Sequence, residues 1–81
     1  MDYKEQLINE LPHIQRKVYN LLNSGGKYSV YDIVLRLHIA DPRGHISALR
    51  RKGIEILDEW KTTSNNNRYK VYFIREGGQN T

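Results

Sequence analysis

The chain has no cysteine, only two prolines and a single methionine in 81 residues. Without cysteine there is no disulfide framework and no thiolate metal site, which fits a reducing compartment. A cytoplasmic location is therefore expected. No apolar run approaches the roughly 20 residues that a membrane helix needs. Residues 1–20 carry charges throughout and lack an apolar core segment, so no secretory leader is expected. The pair Gly25-Gly26 lacks the lysine-threonine ending of a phosphate loop. His38 and His45 have neither a cysteine nor a third ligand at metal spacing. Asp58 and Glu59 are adjacent on an expected strand, so they point to opposite faces and cannot act as an acid–base pair. No nucleophile–base–orienter set is visible. The reading is of a non-enzyme with no metal, no other cofactor and no evident small-molecule ligand.

What is there is basic. Thirteen Lys and Arg stand against nine Asp and Glu, a net charge of +4. That charge suits a polyanion but is common in proteins that bind none. Its distribution says more. Residues 42–53 hold Arg43, Arg50, Arg51 and Lys52 and no carboxylate. One domain is expected over residues 1–76, with a flexible tail over 77–81. A chain this short buries roughly 60–65% of its unfolded surface, so the core is small.

Asp2 and Glu5 have capping-box spacing, and Tyr3, Leu7, Ile8 and Leu11 form one apolar side of a short helix over 3–10. Pro12 disfavours helical geometry at Leu11 and suits a first helical position. A second helix then runs to about Asn23, with Leu11, Ile14, Val18, Leu21 and Leu22 recurring at three and four. Ser24-Gly25-Gly26 stops it. Lys27-Tyr28 reads as an extended link. Ser29 and Asp32 make a second capping box, and Val30, Ile33, Val34 and Leu37 give the next helix its stripe. His38-Ile39-Ala40 is a tight connection with Ile39 as a buried plug. Asp41 is placed to cap a helix over 42–52 that Pro42 starts and Gly53 closes.

Ile54 to Lys61 alternates partly, with Ile54, Ile56 and Trp60 on one face. Tyr69 to Arg75 is rich in β-branched and aromatic residues. The polar stretch Thr62 to Arg68 joins them into an antiparallel hairpin with a flexible tip. Both faces of the second strand carry bulky groups, so alternation does not choose the core face.

The helix over 42–52 carries the functional signal. With Ile46 inward, Leu49 and Pro42 fall within about 60° of it. Gly44, Ser47, Ala48 and Arg51 fall on the far side, flanked by Arg43 and His45. Small groups let the helix axis approach a groove floor, and arginine forks match guanine edges and phosphate oxygens. Arg50 lies near the core boundary, where phosphate contact and pairing with Asp58 or Glu59 are both open. Lys61, Asn66, Arg68 and Lys70 bracket or lie in the polar loop, within reach of a neighbouring backbone. The alternative is a merely soluble hairpin. Tyr28, Tyr31, Tyr69 and Tyr72 can stack on unpaired bases or simply pack with exposed hydroxyls; Tyr31 is best placed to touch a phosphate.

The order helix, helix, tight turn, helix, hairpin resembles the winged helix-turn-helix family over about residues 12–75. The resemblance is carried by Ile46-Ser-Ala-Leu-Arg-Arg-Lys-Gly53, the strand and polar wing after it, and Tyr69-Lys-Val-Tyr-Phe-Ile74. The end pattern also resembles small helix-turn-helix proteins of phages and mobile elements. The glycine often found in the turn is replaced by His38-Ile39-Ala40. The resemblance implies an α+β fold: a three-helix core, a C-terminal β-hairpin wing and an extra N-terminal helix. It also implies sequence-specific binding of double-stranded DNA and transcriptional regulation in a bacterium, phage or mobile element. A homodimer, or tandem binding, is expected because one copy makes few contacts; Tyr3, Leu7, Ile8 and the Pro12–Asn23 helix are the natural surface. Two rival functions stand beside this one. The first is an excisionase-like architectural factor that bends DNA. The second is a winged-helix protein–protein interaction module or inhibitor.

Overall fold

The computed structural model describes residues 3–75. The expected capping box at Asp2 and the tail from Gly77 to Thr81 lie outside the described residues. The order is α1 (Tyr3–Asn9), α2 (His13–Leu22), β1 (Tyr28–Ser29), α3 (Val30–Leu37), α4 (Pro42–Arg51), β2 (Leu57–Thr62) and β3 (Arg68–Phe73). The architecture is α+β, with the sheet antiparallel in the order β1-β3-β2.

Helix α1 has no basic residue in its last turn. Arg16 of α2 supplies the missing donor, reaching the carbonyls of Asn9 at 3.0 Å and Leu11 at 3.2 Å. Orphan carbonyls at a helix end are thereby satisfied, and α1 is tied to α2. Pro12 sits one residue before α2 rather than inside it, and it offers no side-chain cap. Val18 and Leu22 are buried as the three-and-four spacing predicts; Tyr19, off that stripe in the sequence reading, is buried beside them. Gly26 leaves room for the Tyr28 ring, since a Cβ there would lie 2.6 Å from the Tyr28 hydroxyl oxygen and would push that side chain aside.

The link at Tyr28 proves to be a strand. Tyr28 pairs with Tyr72 and Ser29 with Val71, which makes β1 the third member of the sheet. Two residues are too few to show a period of two, so no local pattern could announce it. Ser29 then caps α3 as expected. Its Oγ accepts from the Asp32 N–H at 3.0 Å, and the Asp32 carboxylate accepts from the Ser29 N–H at 3.1 Å. His38 ends α3 in the left-handed region (φ 58°), the position that glycine would fill more cheaply. Ile39 is buried.

Asp41 stands at the N-cap of α4 but makes no side-chain capping bond, which corrects the expectation. Its backbone (φ −142°, ψ 84°) departs from the usual capping geometry. The C-terminal end follows the sequence closely. Gly53 takes φ 100°, its N–H meets the Arg50 carbonyl at 3.1 Å, and the Ile54 N–H meets Leu49 at 3.1 Å. This is a Schellman closure, with Ile54 and Leu49 both buried.

The core gathers Leu22, Ile33, Ile46, Leu49, Ile56 and Ile74 among others, with Tyr72 packed against it. Tyr72 and Ile74 therefore mark the inward face of the last segment, while Val71 is buried in mid-sheet between Ser29 and Glu59. Ile54 and Ile56 are buried, but Trp60 is not: it is an exposed residue of β2. The core covers Ile54 and Ile56 and ends before Trp60. Trp60 pairs with Lys70 towards the tip of the hairpin, beyond the stretch that the core covers.

Candidate nucleic-acid interface

Helix α4 buries Pro42, Ile46 and Leu49. Arg43, Gly44, Ser47 and Arg51 are exposed, and His45 and Ala48 are half-buried. These are the positions that the wheel places outward or beside the outward face. Among the described residues neither Arg43 nor Arg51 makes an ion pair. Arg50 is engaged differently. Its Nε and Nη2 donate to the Ile56 carbonyl at 3.1 and 2.7 Å, and Nη2 also meets Asp58 Oδ2 at 3.0 Å. Of the two options open in the sequence, the Asp58 pair is formed. Lys52 donates to Gln15 at 2.7 Å.

The hairpin sorts its cations by parity, because successive strand residues point to opposite faces. Trp60, Arg68 and Lys70 share one face: the Arg68 guanidinium carbon lies 4.7 Å, and Lys70 Nζ 5.1 Å, from the indole centroid. Lys61 belongs to the other face, where its Nζ meets Glu59 at 2.9 Å and Lys27 meets the same carboxylate at 3.3 Å. Hydrogen bonds from Lys61 and then Lys27 hold the Glu59 carboxyl below the usual carboxylate range, and Glu59 raises the Lys61 ammonium in turn. The structure thus brings Arg68 and Lys70 together and sets Lys61 apart.

The tip is closed by hydrogen bonds. Thr63 Oγ1 accepts from Asn65 and Asn67 at 3.3 and 3.1 Å, and the Thr63 N–H meets the Asn67 carbonyl at 2.8 Å. Asn66 stands exposed at its apex with φ 68°. Tyr31 is exposed on the first turn of α3. Tyr31, Arg43, Trp60 and Lys70 line one groove of about 690 Å³ between the start of α3, the start of α4 and the wing. Trp60 is a member of this groove that the sequence did not single out, since alternation placed it only on one strand face with Ile54 and Ile56.

Among the described residues no three His, Asp or Glu lie together as metal ligands. No helix among them is long and apolar enough to cross a membrane.

A helical core, an outward basic helix and a β-hairpin beside it define a winged-helix architecture. The family model for the winged helix-turn-helix domain matches residues 13–77. The chain belongs to that family, a DNA-binding one. Comparison with curated proteins finds no match, and neither does comparison with solved structures.

Proposed function

We propose that the chain binds double-stranded DNA in a sequence-specific way, with α4 in the major groove and the β2–β3 hairpin against the adjacent backbone. The observation that carries this is the outer face of α4: exposed Arg43 and Arg51 flank Gly44, Ser47 and Ala48, with no carboxylate from residue 42 to residue 53. Eight residues of helix at 1.5 Å each separate the two arginines by about 12 Å, comparable to the width of the major groove. The small side chains between them let the backbone approach the base edges. Arginine there reads guanine or grips phosphate; Ser47 donates to either. Half-buried His45 sits at the edge of this face. On the wing, Arg68, Lys70 and Asn66 face the neighbouring backbone, and Tyr31 offers its hydroxyl to a phosphate.

Lys61 and Arg50 are supporting contacts in this reading, since carboxylates already hold both. The process served is transcriptional control in a bacterium, phage or mobile element, in the cytoplasm, with two copies on one site. Tyr3 is exposed, and Leu7 and Ile8, packed against the core, keep half-buried surface, so the outer side of α1 is the surface for pairing while α2 spends Val18, Tyr19 and Leu22 on the core.

The test is a fluorescence-anisotropy titration of random duplex against salt. Four cationic contacts give a log–log slope near −3.6, a fall of about a hundredfold between ~50 and ~200 mM salt. Absence of binding at low salt would overturn the proposal and hand the basic face to a protein partner. Selection from random DNA then identifies the preferred site.

A further inference from the structure

Trp60 is the chain's only tryptophan, and it is 56% exposed. Arg68 and Lys70 lie over its ring at 4.7 and 5.1 Å, and more than half of the residue still meets solvent. Tyr31, 70% exposed, lines the same groove from α3, and half-buried Tyr72, on Trp60's side of the sheet, lines it from β3. Two of the five exposed large hydrophobics among the described residues therefore meet Tyr72 in one groove. Scattered exposed rings need no explanation, but a cluster does.

Gripping a paired backbone needs cations and hydrogen-bond donors, not three aromatic rings. Aromatic faces beside cations are what stack an unpaired base and hold its phosphate. The start of α3 is disfavoured for that phosphate, because its capping box takes the Ser29 and Asp32 N–H groups at 3.1 and 3.0 Å and sets the Asp32 carboxylate there. The phosphate falls to Arg43 and Lys70. A volume of about 690 Å³ lies within the range of small-ligand sites, so one nucleotide fits. Arg43 belongs both to this groove and to the outward side of α4, so a strand leaving the groove continues directly onto the duplex-reading face.

We infer that the groove between α3, α4 and the wing accepts one unpaired nucleotide of the bound DNA, its base stacked on Trp60 and its phosphate on Arg43 or Lys70. The inference rests on the duplex-binding reading and adds to it a preference for DNA that carries an unpaired base.

The experiment titrates the full chain with a paired duplex, with the same duplex carrying one bulged nucleotide, and with the corresponding free mononucleotide. Labelled-DNA anisotropy and Trp60 emission are both followed. The bulged duplex binds at least about fivefold more tightly, the smallest effect expected of a base stack, and quenches Trp60. Trp60→Ala brings the two duplex affinities within about twofold, whereas Arg51→Ala weakens both and keeps their ratio. Equal affinities for the two duplexes in the wild type overturn the inference, as does unchanged Trp60 emission on binding the bulged one. Quenching by the mononucleotide at the same concentration overturns it too, in favour of a free-nucleotide site. If paired duplex binds but the bulge adds nothing, only this inference falls; if neither duplex binds at low salt, the DNA reading falls as well.

Discussion

Arg50 and Asp58 join α4 to the wing: Arg50 Nη2 lies 3.0 Å from Asp58 Oδ2, while Nε and Nη2 also hold the Ile56 carbonyl. The fork reaches a backbone oxygen and a carboxylate at once, which a lysine cannot reproduce. The ion pair is partly exposed and contributes little by itself, about 0–1 kcal/mol. The bonds to Ile56 matter more, at about 1 kcal/mol or somewhat above for a charge-assisted donor. Arg50→Ala and Arg50→Lys should each lower unfolding stability by about 1–2 kcal/mol, and Asp58→Asn by less than about 1. Urea denaturation measures all three. Equal losses for Arg50→Ala and Asp58→Asn would mean that the carboxylate, not the carbonyl, carries the link.

That pair also marks where sequence reasoning stops. The helical wheel puts Arg50 beside the core, but whether it meets Asp58 or a phosphate depends on how the hairpin folds back. Features closed within a few residues were legible: the Ser29–Asp32 capping box, the Gly53 closure and the inward line of Pro42, Ile46 and Leu49. Asp41 was a local expectation that failed, because its backbone departs from capping geometry. Trp60 was legible only as to its face. Parity assigns a strand residue to a face but does not say how far along that face the core extends. β1 was invisible because its partners, Tyr72 and Val71, lie at the other end of the chain. The outward face of α4 was readable in advance, whereas the groove that joins it to the wing required the fold.

The outward arginines should separate binding from stability. Arg43→Ala and Arg51→Ala remove exposed side chains that make no ion pair among the described residues. Unfolding should therefore shift by less than about 0.5 kcal/mol. Duplex affinity should fall, and wherever the lost contact is to phosphate the salt slope should flatten by about 1. Arg68→Ala should flatten the slope without changing which sequence is preferred, because backbone contacts carry no sequence information. Anisotropy titrations at several salt concentrations, repeated on a preferred and a random duplex, check both statements. A loss of sequence preference in Arg68→Ala would move base reading onto the wing.

The outer face of the hairpin should give the protein a small electrostatic pH dependence. Lys61 and Lys27 lower the Glu59 carboxyl in the folded state. A lowered carboxylate contributes stability that is present above its unfolded pKa and is lost as pH falls through the folded one. Lys61, raised by Glu59, contributes in the opposite window: its part is complete below the unfolded lysine pKa and disappears as pH rises through the folded value. Burial raises the Tyr19 phenol, so Tyr19 adds to the same alkaline limb. Glu59→Gln should lower Tm slightly at neutral pH, and the difference from wild type should vanish as acid protonates Glu59. Molar salt should shrink it as well, because the cluster is solvent-exposed. Thermal melts across acid pH, at two ionic strengths, measure this. A difference that persists at the acid end would mean that Glu59 acts by packing rather than charge.

Two glycines on α4 and its exit should respond to alanine in opposite directions. Gly53 has φ 100°, with nothing near the place that a Cβ would occupy, so the cost of Gly53→Ala is purely backbone strain. It should destabilise by about 1 kcal/mol or more, as expected for a non-glycine residue forced into that region. Gly44 lies in the first turn of the helix, and a Cβ there would meet only Asp41 Oδ2 at 3.6 Å, an ordinary contact. Gly44→Ala should therefore stabilise the fold, by up to about 1 kcal/mol from helix propensity. The added methyl points from the outward face, where close approach to DNA is proposed. Duplex affinity should then fall even as Tm rises. Denaturation curves and anisotropy on the same samples decide it: a Gly44→Ala protein that is more stable and binds duplex as tightly as wild type would show that the start of α4 stands clear of the groove floor.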